Sequence, residues 1–190
     1  DVDAQTVFQA TIALQVEATV RHATLIPGAL DAVAACRARG LLIGTTTGYS
    51  RAIMDALAPV ASRQGYAPDA TVCADEVPAG RPAPWMLLRA AELLNVFPPA
   101  AIVKVGDTVP DIAEAINAGA WSVGLSLSGN EPGLTAAEAA ALTPDERVRA
   151  QVPIVNRMRA AGAHYVIASV ADLPTVLDDL AEHVSKGENP

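Results

Sequence analysis

Two aspartates that follow a short apolar segment have a spacing that could support chemistry. Residues 102–105 (IVKV) end at a glycine, Asp107 comes next, and Asp111 follows four residues later, directly after Pro110. The apolar run predicts a buried strand, and the pattern after it predicts a helix. Ligands of open parallel α/β sheets bind at the carboxyl ends of the strands, so this carboxylate pair suits a hard cation such as Mg²⁺. The structural alternative is that Asp107 ends a strand and Asp111 caps a helix.

A hydroxyl-rich segment follows another predicted strand upstream. Residues 41–44 (LLIG) predict that strand, which runs into three threonines and Gly48 before a helix that begins near Arg51. A hydroxyl group and free backbone N–H groups at such a turn can bind phosphate oxygens. A β-branched threonine also suits a strand end for structural reasons alone, so we favour Thr47 and Gly48 as a pair over any single threonine.

Arg81 lies in a loop rich in proline and glycine, residues 75–82, just before a predicted helix over residues 85–94. Pro82 and Pro84 favour the start of that helix. A guanidinium group at a helix entrance can hold a phosphoryl group or a carboxylate. The alternative is an ordinary surface arginine. We expect Arg81 to face the same sheet edge as Thr47 and Asp107, which makes it a candidate anion ligand.

The opening residues contain a D-x-D pair, Asp1 and Asp3, that resembles the nucleophile motif of a phosphotransferase superfamily. No apolar strand precedes the pair, and Gln5 stands where threonine or valine would be expected. We interpret both residues as acidic groups near the N-terminus of a helix predicted over about residues 5–22, where the helix dipole favours negative charge.

Composition limits the classes of protein that this chain can represent. A length of 190 residues fits one domain, and 51% hydrophobic residues fit a parallel sheet covered by helices. A formal net charge of −8 argues against nucleic acid or an anionic membrane as a partner. Cys36 and Cys73 provide no disulfide framework, so we expect a cytoplasmic location.

Strand and helix patterns alternate along the chain and predict a doubly wound, Rossmann-like parallel α/β sheet. Further strands are predicted over about residues 71–74, 119–125 and 163–167, and further helices over 29–39, 51–64 and 172–184. Thr135 with Glu138 and Thr143 with Glu146 match capping boxes, and they predict a helical excursion to about Ala161, bent near Pro153.

These motifs resemble the haloacid dehalogenase superfamily, whose second, third and fourth motifs are a Ser/Thr, a Lys/Arg and an acidic pair at strand ends. The resemblance narrows to the phosphonoacetaldehyde hydrolases and covers about residues 25–180. Its carriers are TTTGYS (45–50), CADEVPAGRPAPWM (73–86), VKVGDTVPDIAEAINAGAWSVG (103–124) and AGAHYVI (161–167). It implies a core domain over residues 25–190, preceded in residues 1–24 by the last helix of a helical cap and a linker.

The resemblance also implies an activity, which is hydrolysis of phosphonoacetaldehyde to acetaldehyde and phosphate with Mg²⁺. In this family a cap lysine forms a Schiff base with the aldehyde, and an aspartate on the first strand takes the phosphoryl group. Asp107 would be a metal ligand, and Asp111 would support the metal site indirectly. The phosphoryl group would be bound by Thr47, Gly48 and Tyr49 together with Arg81. A homodimer acting on a small phosphonate is expected.

The sequence departs from the family pattern upstream of Thr47. The acidic residues there, Asp1, Asp3, Glu17 and Asp31, do not follow an apolar strand, so none of them matches the nucleophile. The two lysines of the chain are Lys104, interpreted as part of a strand framework, and Lys186 in the tail. We therefore expect a fragment without the nucleophile, the Schiff-base lysine and the first strand, and poorly stable alone because two strand edges would be unpaired.

Two alternatives remain open from the sequence. One is an ordinary Mg²⁺-dependent phosphomonoesterase of the same superfamily, which a D-x-D nucleophile motif upstream would favour. The other is a non-catalytic relic or interaction module that keeps the fold. Retention of Thr47, Arg81, Asp107 and Asp111 argues against the relic.

Overall fold

The computed structural model describes residues 4–190, with the side chains of residues 11 and 12 and from 14 onward. Asp1 and Asp3 lie outside the described residues, so their interpretation stays a prediction. The described helices are α1 (Ala4–Arg21), α2 (Ala29–Ala38), α3 (Arg51–Arg63), α4 (Trp85–Leu93), α5 (Val109–Ala118), α6 (Ala136–Ala141), α7 (Pro144–Ala160) and α8 (Pro174–Ser185). The strands are β1 (Gly44–Thr47), β2 (Ala70–Cys73), β3 (Val103–Gly106), β4 (Trp121–Leu125) and β5 (Tyr165–Ile167).

The strands form two parallel sheets rather than one continuous sheet. Strand β1 pairs with β2, and the second sheet has the order β3-β4-β5. Alternation of parallel strands and helices confirms the predicted α/β fold. Within residues 4–190, β1 and β3 each keep one edge without a strand partner. Two separate sheets are what the family fold would leave if the strand between β1 and β3 were missing. That this strand is missing stays a prediction.

Strand β1 begins later than the sequence predicts. The expected strand over residues 41–44 is instead Gly44–Thr47, so the threonines lie in the strand and not after it. Leu41 and Leu42 are 43% and 53% exposed despite their apolar character. The Asp69 carboxylate accepts a hydrogen bond from the backbone N–H of Ile43 at 2.8 Å, and the chain before β2 turns there. Because the partner strand starts at Ala70, the ladder cannot extend back to the leucines.

The hydrophobic core is built around β4, whose first four residues are buried. On one face, α2 and α8 pack against it through a cluster that includes Ala32, Val123 and Leu177. On the other face, α5 and α7 contribute Ile112 and Met158 to a second cluster. The β1–β2 sheet is covered by α4, and α1 packs on α3. Among residues 4–190, no helix is both long and apolar enough to cross a membrane.

Both predicted capping boxes are present in the helical excursion. Thr135 with Glu138 begins α6, and Thr143 with Glu146 begins α7, each through reciprocal side-chain and backbone hydrogen bonds. The predicted excursion is therefore two helices, because Thr143 starts a new helix shortly after α6 ends. Pro153 lies inside α7.

Candidate active site

Arg81 contacts the carboxyl end of β1 and the first turn of the helix that follows β3. Its Nη2 donates a hydrogen bond to the backbone carbonyl of Thr46, the penultimate residue of β1, at 2.9 Å. Its Nε lies 3.1 Å from Oδ1 of Asp111, in the first turn of the helix that follows β3. One guanidinium group therefore links the β1–β2 sheet to the helix that follows β3. The structure thereby brings together two predicted site residues, Arg81 and Asp111.

Two residues without a predicted catalytic role complete a charged cluster, which consists of Arg81, Lys104, Asp111 and Glu114. Lys104 Nζ lies 2.8 Å from Oε2 of Glu114 and 3.4 Å from Oδ1 of Asp111. Arg81 Nε lies 3.2 Å from the same Glu114 oxygen. The cluster combines two cations with two carboxylates, so its formal charges balance. Such balance is what a buried group of charges needs in order to be tolerated.

Glu114 is the most deeply buried member of the charged cluster. Its side chain is 0% exposed, against 9% for Lys104 and 22% for Arg81. Its second oxygen, Oε1, accepts a hydrogen bond from the backbone N–H of Leu87 at 3.2 Å. That N–H lies in the first turn of α4, where helix N–H groups have no intrahelical partner and the dipole favours an anion. Glu114 thereby fixes the start of α4, directly after the loop that carries Arg81.

Asp111 caps the start of α5, which is the structural alternative that the sequence left open, and it also belongs to the charged cluster. Its Oδ2 accepts hydrogen bonds from the Thr108 hydroxyl at 2.6 Å and the Thr108 N–H at 3.2 Å, which forms a capping box at the start of α5. Its Oδ1 faces Arg81 and Lys104. Both carboxylate oxygens are thus engaged by protein groups.

Asp107 directly follows β3, and Gly129 leaves the space that its side chain occupies. Its Oδ2 accepts a hydrogen bond from the backbone N–H of Asn130 at 2.7 Å. A Cβ atom on Gly129 would lie 2.2 Å from the Cβ of Asp107, and a Cβ on Gly106 would lie 2.2 Å from the Cβ of Asp111. Neither approach is possible for a larger residue, so the glycines allow both carboxylates to sit against the backbone.

The predicted phosphate loop lies at the end of β1. Thr47 Oγ1 accepts a hydrogen bond from the backbone N–H of Tyr49 at 3.1 Å, which bends the chain around Gly48. Ser50 Oγ is buried and has no hydrogen-bond partner among the described residues. Thr47 and Tyr49 line a cavity of about 290 Å³ between α3 and the β1–β2 sheet. Among the described residues, no hydrogen bond or ion pair joins Thr47 or Asp107 to the charged cluster, so their roles stay predictions.

The end of β2 carries groups that position α3 rather than a nucleophile. Asp75 accepts a hydrogen bond from the backbone N–H of Arg51 at 2.9 Å, and Glu76 pairs with the Arg51 guanidinium at 2.6 Å. The hydrogen bond from Arg51 lowers the pKa of Glu76. Burial raises the pKa of the Cys73 thiol to about 11. Cys73 is therefore a neutral thiol at ordinary pH, which argues against cysteine chemistry at this edge.

The residues present supply only part of a magnesium site. Within residues 4–190, no group of three or more His, Cys, Asp or Glu side chains is arranged to hold a metal ion. The protein already occupies both oxygens of Asp111 and the Oδ2 of Asp107. Among the described residues, no hydrogen bond or ion pair involves Asp107 Oδ1, so this oxygen can serve as a ligand. Mg²⁺ can bind through one or two carboxylates with substrate phosphate and water, so Asp107 fits as one ligand of a site that the described residues do not complete.

Known proteins with similar sequences belong to the family that the site motifs resemble. Residues 2–119 match the sequence model of the family described as haloacid dehalogenase-like hydrolase. A phosphonoacetaldehyde hydrolase-like protein of Syntrophobacter fumaroxidans is 50% identical over 170 residues, which are 90% of this chain and 61% of that protein. A phosphonoacetaldehyde hydrolase of the same organism is 43% identical, over 99% of this chain and 68% of that protein. This chain belongs to the haloacid dehalogenase-like hydrolases, among the phosphonoacetaldehyde hydrolases.

A solved structure supports the same assignment. The phosphonoacetaldehyde hydrolase-like protein from Oleispira antarctica superposes with a TM-score of 0.91 at 38% identity. The match covers 100% of this chain and 70% of that one. The chain thus spans between 61% and 70% of the length of these three relatives. The family predicted from the motifs is confirmed, and so is the fold.

Sequence reasoning missed residues that the structure places beside the predicted site. Glu114, Thr46 and Asn130 each contact a predicted site residue or its partners. A signal was available for Glu114: it lies three positions after Asp111 on a helix, so both side chains share a face with buried Ile112 and Ala115. A charged residue on such an apolar face needs a partner. Nothing comparable marked Asn130, which arrives from a distant loop.

Proposed function

We propose that this chain forms the core part of a phosphonoacetaldehyde hydrolase, which converts phosphonoacetaldehyde and water into acetaldehyde and phosphate. The observation that carries the proposal is Arg81, whose guanidinium group contacts Thr46 of the phosphate-loop strand and Asp111 beyond the acidic strand. The names of the relatives supply the substrate. The site itself supplies the reason to expect a phosphoryl group, because a hydroxyl-glycine loop and an arginine flank the same sheet edge.

Each predicted residue then has a role in the proposed reaction. Thr47, Gly48 and Tyr49 would bind the phosphoryl oxygens through the hydroxyl and backbone N–H groups of their loop. Arg81 would place positive charge beside them. Asp107 would be a ligand of Mg²⁺, which when bound would stabilise negative charge on the phosphoryl group. Asp111 would act indirectly, by holding Arg81 and the start of α5.

The nucleophile and the Schiff-base amine of this proposal do not come from the described residues. Lys104 is a poor candidate amine because its side chain is buried, its Nζ donates a hydrogen bond to Thr46 at 2.6 Å, and the carboxylates of Glu114 and Asp111 lie 2.8 and 3.4 Å from it. Lys186 is exposed and pairs with Glu182 in the last helix. We therefore propose that the aspartate and the amine lie in a segment beyond the 190 residues, as the family resemblance implies.

Other parts of the proposal rest on family resemblance. Residues 1–24 would be the end of a helical cap with its linker, and residues 25–190 would be the core domain. The protein would be a cytoplasmic homodimer. Light scattering of the purified protein would test the dimer directly.

The test is phosphate release from phosphonoacetaldehyde with Mg²⁺, measured for the 190-residue chain and for the same chain extended upstream to an initiating Met. We expect turnover by the extended chain alone, with covalent trapping when borohydride is added in the presence of the aldehyde. Turnover by the short chain would overturn the assignment of nucleophile and amine. If the extended chain hydrolyses a phosphate monoester such as p-nitrophenyl phosphate and leaves phosphonoacetaldehyde intact, the substrate assignment is wrong.

Asp107→Asn in the extended chain is the matched variant for the metal role. We expect it to raise the Mg²⁺ concentration needed for half-maximal rate, because one carboxylate ligand is lost. A rate whose dependence on Mg²⁺ is unchanged would contradict the assignment of Asp107.

A further inference from the structure

The two sheets are held together at the site by a side-chain contact. Lys104 Nζ in β3 donates a hydrogen bond to Thr46 Oγ1 in β1 at 2.6 Å. No backbone pairing between β1 and β3 is present among the described residues. A lysine side chain extends on the order of 6 Å from its Cα, so this contact can join two strands that are too far apart to pair.

The contact lies on the face of β1 opposite the phosphate cavity. Side chains alternate along a strand, so Thr46 points away from the side on which Thr45 and Thr47 line the cavity. On that face the Thr46 hydroxyl accepts a hydrogen bond from Lys104, and the Thr46 backbone carbonyl accepts one from Arg81. Both cations in turn contact Glu114, whose side chain is fully buried.

We propose that Lys104, Thr46 and Glu114 are positioning residues that fix the phosphate loop relative to the acidic strand. Thr46 directly precedes Thr47 in β1, and Lys104 lies three residues before Asp107. The hydrogen bond between Thr46 and Lys104 therefore fixes the two strand ends that carry the predicted phosphate and metal ligands. Glu114 acts through Lys104 and Arg81, because it holds both cations from the buried side.

The structure supports positioning rather than direct contact with substrate. Lys104 is 9% exposed; its ammonium group donates a hydrogen bond to Thr46 and lies beside the carboxylates of Glu114 and Asp111, so it faces protein acceptors. Thr46 is likewise engaged through both its hydroxyl and its carbonyl. An error of about 1 Å in such a site can cost roughly 100-fold in rate, which is the scale of effect that a positioning residue can have.

Thr46→Val tests the proposal because it removes the hydroxyl and keeps the side-chain shape. This test rests on the proposed function and uses the extended chain with phosphonoacetaldehyde. We expect kcat to fall about 10- to 100-fold with KM within about threefold, because the loop stays but is misplaced. Thr46→Ser keeps the hydroxyl and should recover most of the rate. Thr175→Val is the matched control: its hydroxyl donates a hydrogen bond to the backbone carbonyl of Asp172 beside the start of α8, outside the cavity and the charged cluster, so the rate should stay near that of the parent.

Equal rates for Thr46→Val and the parent would overturn the proposal. Equal losses for Thr46→Val and Thr46→Ser would overturn it as well, since the hydroxyl would then not be the reason.

A readout that needs no turnover separates this proposal from the proposed function. In the 190-residue chain, amide hydrogen exchange at residues 47–49 should be about tenfold faster in Thr46→Val and in Lys104→Met than in the parent. The double variant should exchange at the same rate as either single variant. Lys186→Met replaces the other lysine, whose partner Glu182 is exposed, and should leave exchange unchanged. If the extended chain does not hydrolyse phosphonoacetaldehyde but this pattern appears, the substrate is wrong and the positioning role stands. Additive effects of the two substitutions would overturn the positioning role in either case.

Discussion

The two sheets differ in how their strands are held. Strand β4 pairs with a neighbour on each side, and its first four residues are buried between helices on both faces. Within residues 4–190, strand β1 pairs with β2 alone, and none of its four residues is fully buried. The three-stranded sheet is therefore stabilised by apolar packing and backbone pairing. The site end of β1 depends more on Arg81 and Lys104, which attach it to the other sheet.

This difference separates stability from function within one chain. The apolar cluster around Val123 and Leu177 contains none of the predicted site residues. Polar and charged side chains collect instead where the two sheets meet, in the cluster around Glu114. A buried charge cluster is a weak source of stability but fixes geometry, since each member is costly to leave without its partner.

Glu114→Ala should lower the free energy of unfolding more than any other substitution at the junction of the sheets. It leaves the buried Lys104 and the partly buried Arg81 with Asp111 as their remaining carboxylate, and it removes the acceptor of the Leu87 N–H. Breaking a buried ion pair by removing one partner costs about 3 kcal/mol or more. Urea unfolding followed by circular dichroism would measure the loss.

Glu182→Ala is the control for this prediction. Glu182 pairs with Lys186 at 2.7 Å, but both side chains are more than half exposed, so the loss should stay within about 0.5 kcal/mol. If the two variants lose similar stability, the charged cluster does not fix the junction of the sheets.

Two buried valines allow the sheets to be compared by the same substitution. Val123 in β4 is 0% exposed and Val72 in β2 is 1% exposed, so each loses two buried methyl groups on replacement by alanine. We expect Val123→Ala to cost about 2–3 kcal/mol and Val72→Ala about 1–2 kcal/mol, because β2 belongs to the smaller sheet and its surroundings can relax further. Thermal and urea unfolding of both variants would measure the difference. A larger loss for Val72→Ala would reverse the comparison.

The sequence predicted the features that depend on local pattern. The capping boxes at Thr135 and Thr143 were predictable because a hydroxyl residue and a glutamate three positions apart satisfy each other within one helical turn. The parallel α/β fold followed from alternating patterns, and the family followed from motifs at the strand ends. Arg81 and Asp111 were expected at one edge, and the structure places them 3.1 Å apart.

The contacts that depend on distant parts of the chain could not be predicted. The contact between Lys104 and Thr46 joins residues 58 positions apart, and no local pattern announces it. The predicted start of β1 was wrong because it relied on the apolar character of Leu41 and Leu42. The start of a strand is set by its partner strand, which here begins at Ala70. The close approach of Gly129 to Asp107 was missed for the same reason, since Gly129 lies in a loop more than twenty residues away.

His164 gives the smallest expected effect, and it tests the three-stranded sheet at the end away from the site. Its Nδ1 accepts a hydrogen bond from the backbone N–H of Ser122, a buried residue of β4, at 3.0 Å. Burial lowers the pKa of His164 below its ordinary value. The unfolded chain therefore takes up this proton more readily than the folded chain, so stability should decrease as the pH falls through the ordinary histidine pKa of about 6.5.

His164→Asn removes the titrating group and keeps an acceptor at this position, so urea unfolding between pH 7.5 and 5 should show a weaker dependence on pH than in the parent. His22→Asn replaces an exposed histidine at the end of α1 and should keep the parent dependence. If His164→Asn also keeps it, protonation of His164 is not what destabilises this sheet at low pH.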